Sequence, residues 1–315
     1  MALQSVVASQ DGPRITVNDM IRNPTLIPQR IIRMTEQQFI ADALFRRGPN
    51  ASGGAVVYRE SEPLFADGEP DLIEEFGEIP IVGTSTGLRR SVSTTKRGFG
   101  YVISREMQRR NDVDKARNDL VKLRNTMVRT HDDLFLSTFL THPRVHTMNA
   151  ADGWYKDAYE AVQTTGGSIR YDIAKAKKLI ADSAPEGRPK DFFGFNANTL
   201  VISENTAIGW IQSDKINETF AHGNLADQQL RYTGVMPRTF WGLNVVQNRR
   251  IPDDIAVVME RNTAGFIADE WPLEATALYE DRPRQQWRSD VTRRSVAALD
   301  QPGAVCIITN ILDTP

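Results

Sequence analysis

Residues 112–140, "DVDKARNDLVKLRNTMVRTHDDLFLSTFL", constrain the fold more than any other stretch. Val113, Ala116, Leu120, Leu123, Met127, Leu134 and Phe135 recur at helical spacing, with His131 on the same face. Asn111 or Asp112 offers a cap, and no proline interrupts the pattern before Pro143. A helix of roughly 30 residues is about 45 Å long at 1.5 Å per residue. Such a rod exceeds the radius of a small domain, so other elements must lean against it. Its other face is basic near Arg117, Lys122, Arg124 and Arg129.

Upstream, residues 1–35 read as an irregular leader with Gly12-Pro13, Asn23-Pro24 and Ile27-Pro28, each disfavouring helix before its proline. Thr35 opens a short helix, "TEQQFIADALF", with Phe39, Ala43 and Leu44 on one face and Gly48-Pro49 as its stop. "GGAVVYRES" and "GLRRSVSTTKRGFGYVIS" are rich in β-branched and aromatic residues and predict two strands. They bracket "YRESEPLFADGEPDLIEEFGEIPIV", residues 58–82, as the extended tip of a hairpin. Glu60, Glu62, Asp67, Glu69, Asp71, Glu74, Glu75 and Glu78 make this tip acidic, and Leu64, Phe65, Leu72, Ile73 and Phe76 lie among them. From Ile79 to Arg105 there is no acid, while Arg89, Arg90, Lys96, Arg97 and Arg105 fall in that span. A segment so divided cannot satisfy its charges along its own length. It could pair head to tail with a neighbouring copy, a heterologous contact that builds rings or open lattices.

From Asp152 the pattern is mixed α/β. "YDIAKAKKLIADSA" predicts a helix capped by Asp172, and "FNANTLVISENTAIGWIQS" a strand then a helix. Residues 214–236 lack a period and read as a long loop; the remainder is strand-like through "GAVCIITNIL". The length of 315 residues suggests about two domains. A net charge of −2 supplies no global basic field for nonspecific nucleic-acid binding. The single Cys306 excludes an internal disulfide, the start "MALQSVVASQDGPR" lacks the pattern of a signal peptide, and no stretch approaches the ~20 apolar residues of a membrane span. The expectation is folding in a cytoplasm, without contact to membrane.

Catalytic patterns find no support. "GTSTG" matches the nucleophile elbow at Ser85, but the elbow needs a helix after it and "LRRSVSTTKR" is strand-like, so a turn is the reading. His142 and His146 in "HPRVH" have zinc-pair spacing, but Pro143 forbids the helix and no third ligand is near. "DGEPDLIEE" lacks the ligand spacing of a calcium loop. No catalytic residue, cofactor or metal is expected.

Leader, two-stranded excursion, rod-like helix, α/β region and returning strands, in this order, resemble the major capsid proteins of tailed bacteriophages with the Hong Kong 97-type fold. The resemblance spans nearly the whole chain, with "YRESEPLFADGEPDLIEEFGEIPIV", "KRGFGYVISREM", "DDLFLSTFL", "NTLVISENTAIGWI" and "FWGLNVVQNRRIPDDIAVVM" as its anchors. It implies an α+β fold in which residues 1–50 form an N-terminal arm and 51–98 an E-loop. A P-domain would comprise 99–150 and 267–299, with a spine helix at about 104–140, and an A-domain 151–266 and 300–315. The acidic tip then lies across an adjacent subunit, with Arg89, Arg90, Arg97, Arg109 and Arg110 as candidate basic counterparts. It further implies hexamers and pentamers in an icosahedral shell around double-stranded DNA, a separate scaffolding protein, a portal and decoration proteins, all assembled in the host bacterial cytoplasm. Some relatives crosslink an E-loop lysine to a neighbour's asparagine. This chain has no lysine before Lys96, so the tip lacks that amine. Rival readings are an encapsulin-type shell around protein cargo, a hydrolase using Ser85, and a monomeric binding protein with a solvated acidic loop.

Overall fold

In the computed structural model the amphipathic run forms a helix at Val113–Leu140. The structure describes residues 8–9, 12–13, 16–35, 39–51, 53–69, 72–73, 76–77, 79, 81–151, 153–154, 169–212 and 239–312. The Asp112 carboxylate accepts from the Lys115 amide at 3.1 Å and so caps the helix. A separate short helix, Arg105–Arg110, precedes it and ends at Asn111 in the left-handed conformation, φ 51°. The single helix expected at about 104–140 is therefore two, because asparagine tolerates that turn and Asp112 can start a new N-terminus behind it. Asp112→Ala is expected to cost about 1 kcal/mol, read as a lower urea midpoint at unchanged slope.

The long helix joins two cores. Its first half buries Ala116 and Leu120 against Tyr101, Ile103, Met107 and Val291. Its second half sends Phe135, Leu136 and Phe139 into the larger core, where Phe135 meets Phe45 edge-on at 4.4 Å. The first core lies on a five-stranded sheet centred on Gln286–Ala298. Thr95–Ser104 pairs antiparallel along one side of that strand, from Gln286↔Ser104 to Ser295↔Thr95. Phe266–Ala275 and Tyr279–Asp281 pair along the other, and Arg46–Arg47 adds a parallel edge. In Thr95–Ser104 the alternation is plain, with Tyr101 and Ile103 buried and Val102 exposed.

The second core is a six-stranded mixed sheet. Its order is His146–Asn149, Val305–Thr309, Ile255–Met259, Thr199–Ile202, Leu243–Gln247 and Thr239–Phe240. Central strands here are covered on both faces: Thr199–Ile202 is buried at every position, as is 256–259. Cys306 is buried in this sheet as a free thiol.

Several expectations are corrected. From residue 16 the leader is not irregular, since it holds helices at Val17–Arg22 and Leu26–Thr35. Thr16 and Asp19 form a capping box on the first, and Pro28 sits in the first turn of the second, where no intrahelical N–H is needed. Thr35 ends a helix rather than opening one; the next runs Ile40–Leu44, and it buries Ala41 and Leu44 while Ala43 is exposed. Asp172 is not a cap, because its helix starts at Ile169. It is buried and accepts from the Ala151 amide and the Trp154 indole at 3.1 and 2.9 Å. The boundary at residue 150 cuts the six-stranded sheet, whose edge strand is His146–Asn149. The loop at 214–236 lies outside the described residues.

Candidate functional site: the acidic hairpin

Gly53 and Gly54, at φ 70° and 83°, turn the chain into the strand Ala55–Glu60. It pairs antiparallel with Leu88–Ser93, from Ala55↔Ser93 to Glu60↔Leu88. Val56 faces inward with Phe266 and Val296, whereas Val57 points to water. Tyr58 meets Phe266 edge-on at 5.5 Å. Thr94 then separates this strand from Thr95–Ser104, its amide donating to the Gly54 carbonyl at 2.8 Å. The single returning strand read from the sequence is thus two strands serving two different sheets.

Glu60 ends the paired part of the hairpin and is wholly buried, so it is not the exposed intersubunit contact expected for it. Arg90 donates to one carboxylate oxygen, while His142 and Arg144 lie 3.7 Å from the other. Arg90, one of the candidate counterparts, is therefore engaged within its own chain. Nearby, Ser61 donates its amide to the Asp300 carbonyl at 2.8 Å, and Asp300 pairs with Arg46. Burial raises the Asp300 pKa, with Arg46 opposing, and burial lowers that of His142, with Glu60 opposing. Gly87 returns so closely that a Cβ there would stand 2.4 Å from the Glu60 carbonyl. Arg90→Ala leaves the Glu60 carboxylate buried without its direct donor; a cost of about 2 kcal/mol is expected, measured by chemical denaturation.

Beyond this base the loop is open. Glu62 pairs with Arg59 at 3.0 Å, a contact at the surface. Asp67 pairs with Arg188, which holds its carboxyl below the ordinary range, and it accepts from the Ser85 amide at 3.0 Å. Ser85 leads into a strand rather than a helix, so the elbow geometry is missing. Glu69 is exposed, as are Leu64, Phe65, Leu72, Ile73 and Phe76; Asp71, Glu74, Glu75 and Glu78 lie outside the described residues. Leu72 and Phe76 are 96% and 99% exposed, and Ile81 is fully so. Ile79, Ile81 and Val82 extend this apolar set beyond the residues singled out from the sequence, although their branched side chains directly after the acidic run were readable there.

Among the described residues, Arg89, Arg97, Arg109 and Arg110 have no ion-pair partner. Arg89 stands opposite Arg59, and Arg97 opposite Arg293. Arg109 lines a shallow cleft with Thr16, Asn18, Arg105, Gln108 and Asn111. The intrachain partners of the hairpin, His142, Arg144 and Arg188, were not anticipated, since nothing local marks a contact across 80 residues or more. Among the described residues no group of three or more His, Cys, Asp and Glu could hold a metal ion. No described helix is long and apolar enough to cross a membrane.

Among the described residues the arrangement holds no reactive constellation; it is a clamped hairpin base carrying a loop of exposed apolar side chains. The fold is shared with solved phage structures. Gordonia phage Cozz matches at TM-score 0.58 and 12% identity, over 88% of this chain and 87% of that one. The capsid of Cyanophage P-SCSP1u matches at 0.57 and 12%, over 86% and 88%. A virus-like particle from Pyrococcus furiosus matches at 0.55 and 8%, over 90% and 97%. No curated protein matches the sequence. Residues 88–308 match the model of a family described as phage capsid protein, a span that includes the long helix, the six-stranded sheet up to Ile308 and the five-stranded sheet apart from its edge Arg46–Arg47. The chain therefore belongs to the phage capsid protein family and is a structural protein of the virion, built to associate with copies of itself.

Proposed function

We propose that copies of this chain form the hexamers and pentamers of an icosahedral head around double-stranded DNA, and that the protein performs no catalysis. In this reading residues 51–98 are the E-loop and lie across an adjacent copy. The five-stranded sheet with the long helix acts as the P-domain, and the six-stranded sheet as the A-domain. The observation that carries it is the exposed apolar set of the hairpin loop, Leu72, Phe76 and Ile81 above all. A single loop that exposes this many large apolar side chains marks a contact to be made. A two-stranded hairpin needs a surface to pack on, and strands of six residues carry this loop roughly 20 Å beyond their base. Arg89, Arg97, Arg109 and Arg110 are free to receive the remaining carboxylates, setting register more than affinity. The arm assigned to residues 1–50, a separate scaffolding protein, a portal, decoration proteins and assembly in the host cytoplasm complete the proposal.

Negative-stain microscopy of the expressed protein, alongside size-exclusion chromatography, tests it. Closed particles, rings or hexameric sheets are expected. A chain that stays monomeric at high concentration, even with scaffolding protein supplied, would overturn it. The likeness to the Pyrococcus furiosus particle favours a second reading, a shell around protein cargo. Nuclease-protected DNA inside the particles supports the head; a protein content with no DNA supports the rival.

A further inference from the structure

The face of the long helix opposite its buried stripe has a charge pattern that subunit contacts through the hairpin leave unused. Ala116, Leu120 and Met127 are buried. Lys115, Lys122 and Arg129, seven residues apart, are exposed on the other side, with Asn118, Asn125 and Thr126 exposed between them. At 1.5 Å per residue the three cations stand about 10.5 Å apart along a line of about 21 Å. Lys122 has Asp119 at 3.8 Å, whereas Lys115 and Arg129 have no carboxylate partner among the described residues. From Arg105 to Arg129 the chain holds eight Lys and Arg against four Asp and Glu, in a protein of net charge −2.

We propose that this stripe binds the sugar–phosphate backbone of nucleic acid without sequence preference. The inference rests on the reading of a DNA-filled head and assigns the face that meets the DNA. Ammonium and guanidinium groups interleaved with side-chain amides and a hydroxyl are the groups that contact phosphates. The competing occupant is the acidic hairpin of a second copy. That hairpin brings Leu72, Phe76 and Ile81 with its carboxylates, whereas the stripe presents amides and a hydroxyl between its cations, with apolar surface beside it in the shallow cleft that Lys122 shares with Val102 and Leu123. A hydrophilic polyanion matches the stripe along its length better than an apolar acidic loop does.

Fluorescence anisotropy of a labelled DNA duplex of arbitrary sequence, titrated with unassembled full-length chain over a salt series, tests the proposal. Binding is expected to weaken with salt. The triple variant Lys115→Gln, Lys122→Gln, Arg129→Gln should flatten the log–log salt slope by about 2.7, or 0.9 per lost contact. Lys115→Arg, Lys122→Arg and Arg129→Lys together should retain the slope. Lys122→Gln alone, expected to lower it by about 0.9, serves if the triple variant melts early. No binding by the wild type, or an unchanged slope in the Gln variants, overturns the assignment. Lost particle formation at unchanged slope also overturns it, because the stripe is then a subunit contact. The titration needs no shell. Failure of this proposal leaves particles with nuclease-protected DNA, whereas failure of the head reading leaves no particles, or particles without DNA, whatever the titration gives.

Discussion

Serine placed together at Leu72, Phe76 and Ile81 is expected to abolish shell formation while the chain stays folded. The three side chains are almost wholly in water in the isolated chain, so removing their apolar groups takes nothing from either core. Any loss must therefore appear where another copy covers them. Burying one such side chain is worth about 1.5–3 kcal/mol, so three contribute about 6 kcal/mol to each contact. That corresponds to roughly four orders of magnitude in an association constant, repeated at every copy in a ring. Single replacements should weaken assembly by about ten- to a hundredfold, visible as a raised concentration threshold for particles. The melting temperature of the unassembled chain is the control. Intact particles from the triple variant would remove the hairpin from the assembly contacts. A lowered melting temperature would show instead that the loop packs on its own chain.

The parts of this fold that were readable in the sequence are those where one local pattern decides. The long helix was legible because Ala116, Leu120 and Met127 keep their spacing across many turns, and Asp112 is a strong cap. The hairpin was legible from Val56, Val57 and Tyr58 facing Arg90, Ser91 and Val92 across a stretch full of prolines and glycines. Strands such as Ile255–Met259 and Val305–Thr309 showed as short apolar runs. The leader helices were lost because Pro28 reads as a breaker, although in a first turn it breaks nothing; Thr16 with Asp19 was the signal available. In the acidic run, Glu60 looks like its neighbours. Only the fold shows that it is buried beside Arg90, His142 and Arg144, while Glu62 and Glu69 remain at the surface. Position relative to the last strand pair separates a structural carboxylate from a solvated one, and composition does not carry that information.

Two adjacent residues of the long helix should give the protein opposite and nearly cancelling pH dependences. His131 is buried against Phe39, with ring centroids 4.8 Å apart, and its Nε2 lies 3.0 Å from the Ser295 hydroxyl. Burial pushes its pKa from 6.5 to about 4, with Arg293 and Arg97 adding to the shift and Asp269 opposing it. Asp132 is also buried, and accepts from the Ile40 amide at 3.2 Å. Burial raises its pKa from 3.8 to about 6; Asp133 and Asp42 add to this, while the Ile40 amide and the Asn248 side chain oppose it. As pH falls from 6.5 to about 4, the unfolded chain takes a proton at His131 that the folded chain refuses, so stability is lost. Over about 6 to 3.8 the folded chain instead holds a proton at Asp132 that the unfolded chain has released, so stability returns as pH falls. Each shift is worth roughly 3 kcal/mol. His131→Gln removes the first effect, and wild-type stability minus that of the variant should fall by roughly 3 kcal/mol between pH 7 and pH 4. Asp132→Asn keeps an acceptor for Ile40 and removes the second, and the corresponding difference should rise by roughly 3 kcal/mol between pH 7 and pH 4. Urea denaturation of the unassembled chain at several pH values measures both. Flat differences in both variants would mean that water reaches this junction, and that Ile40–Leu44 does not seal the long helix as the structure places it.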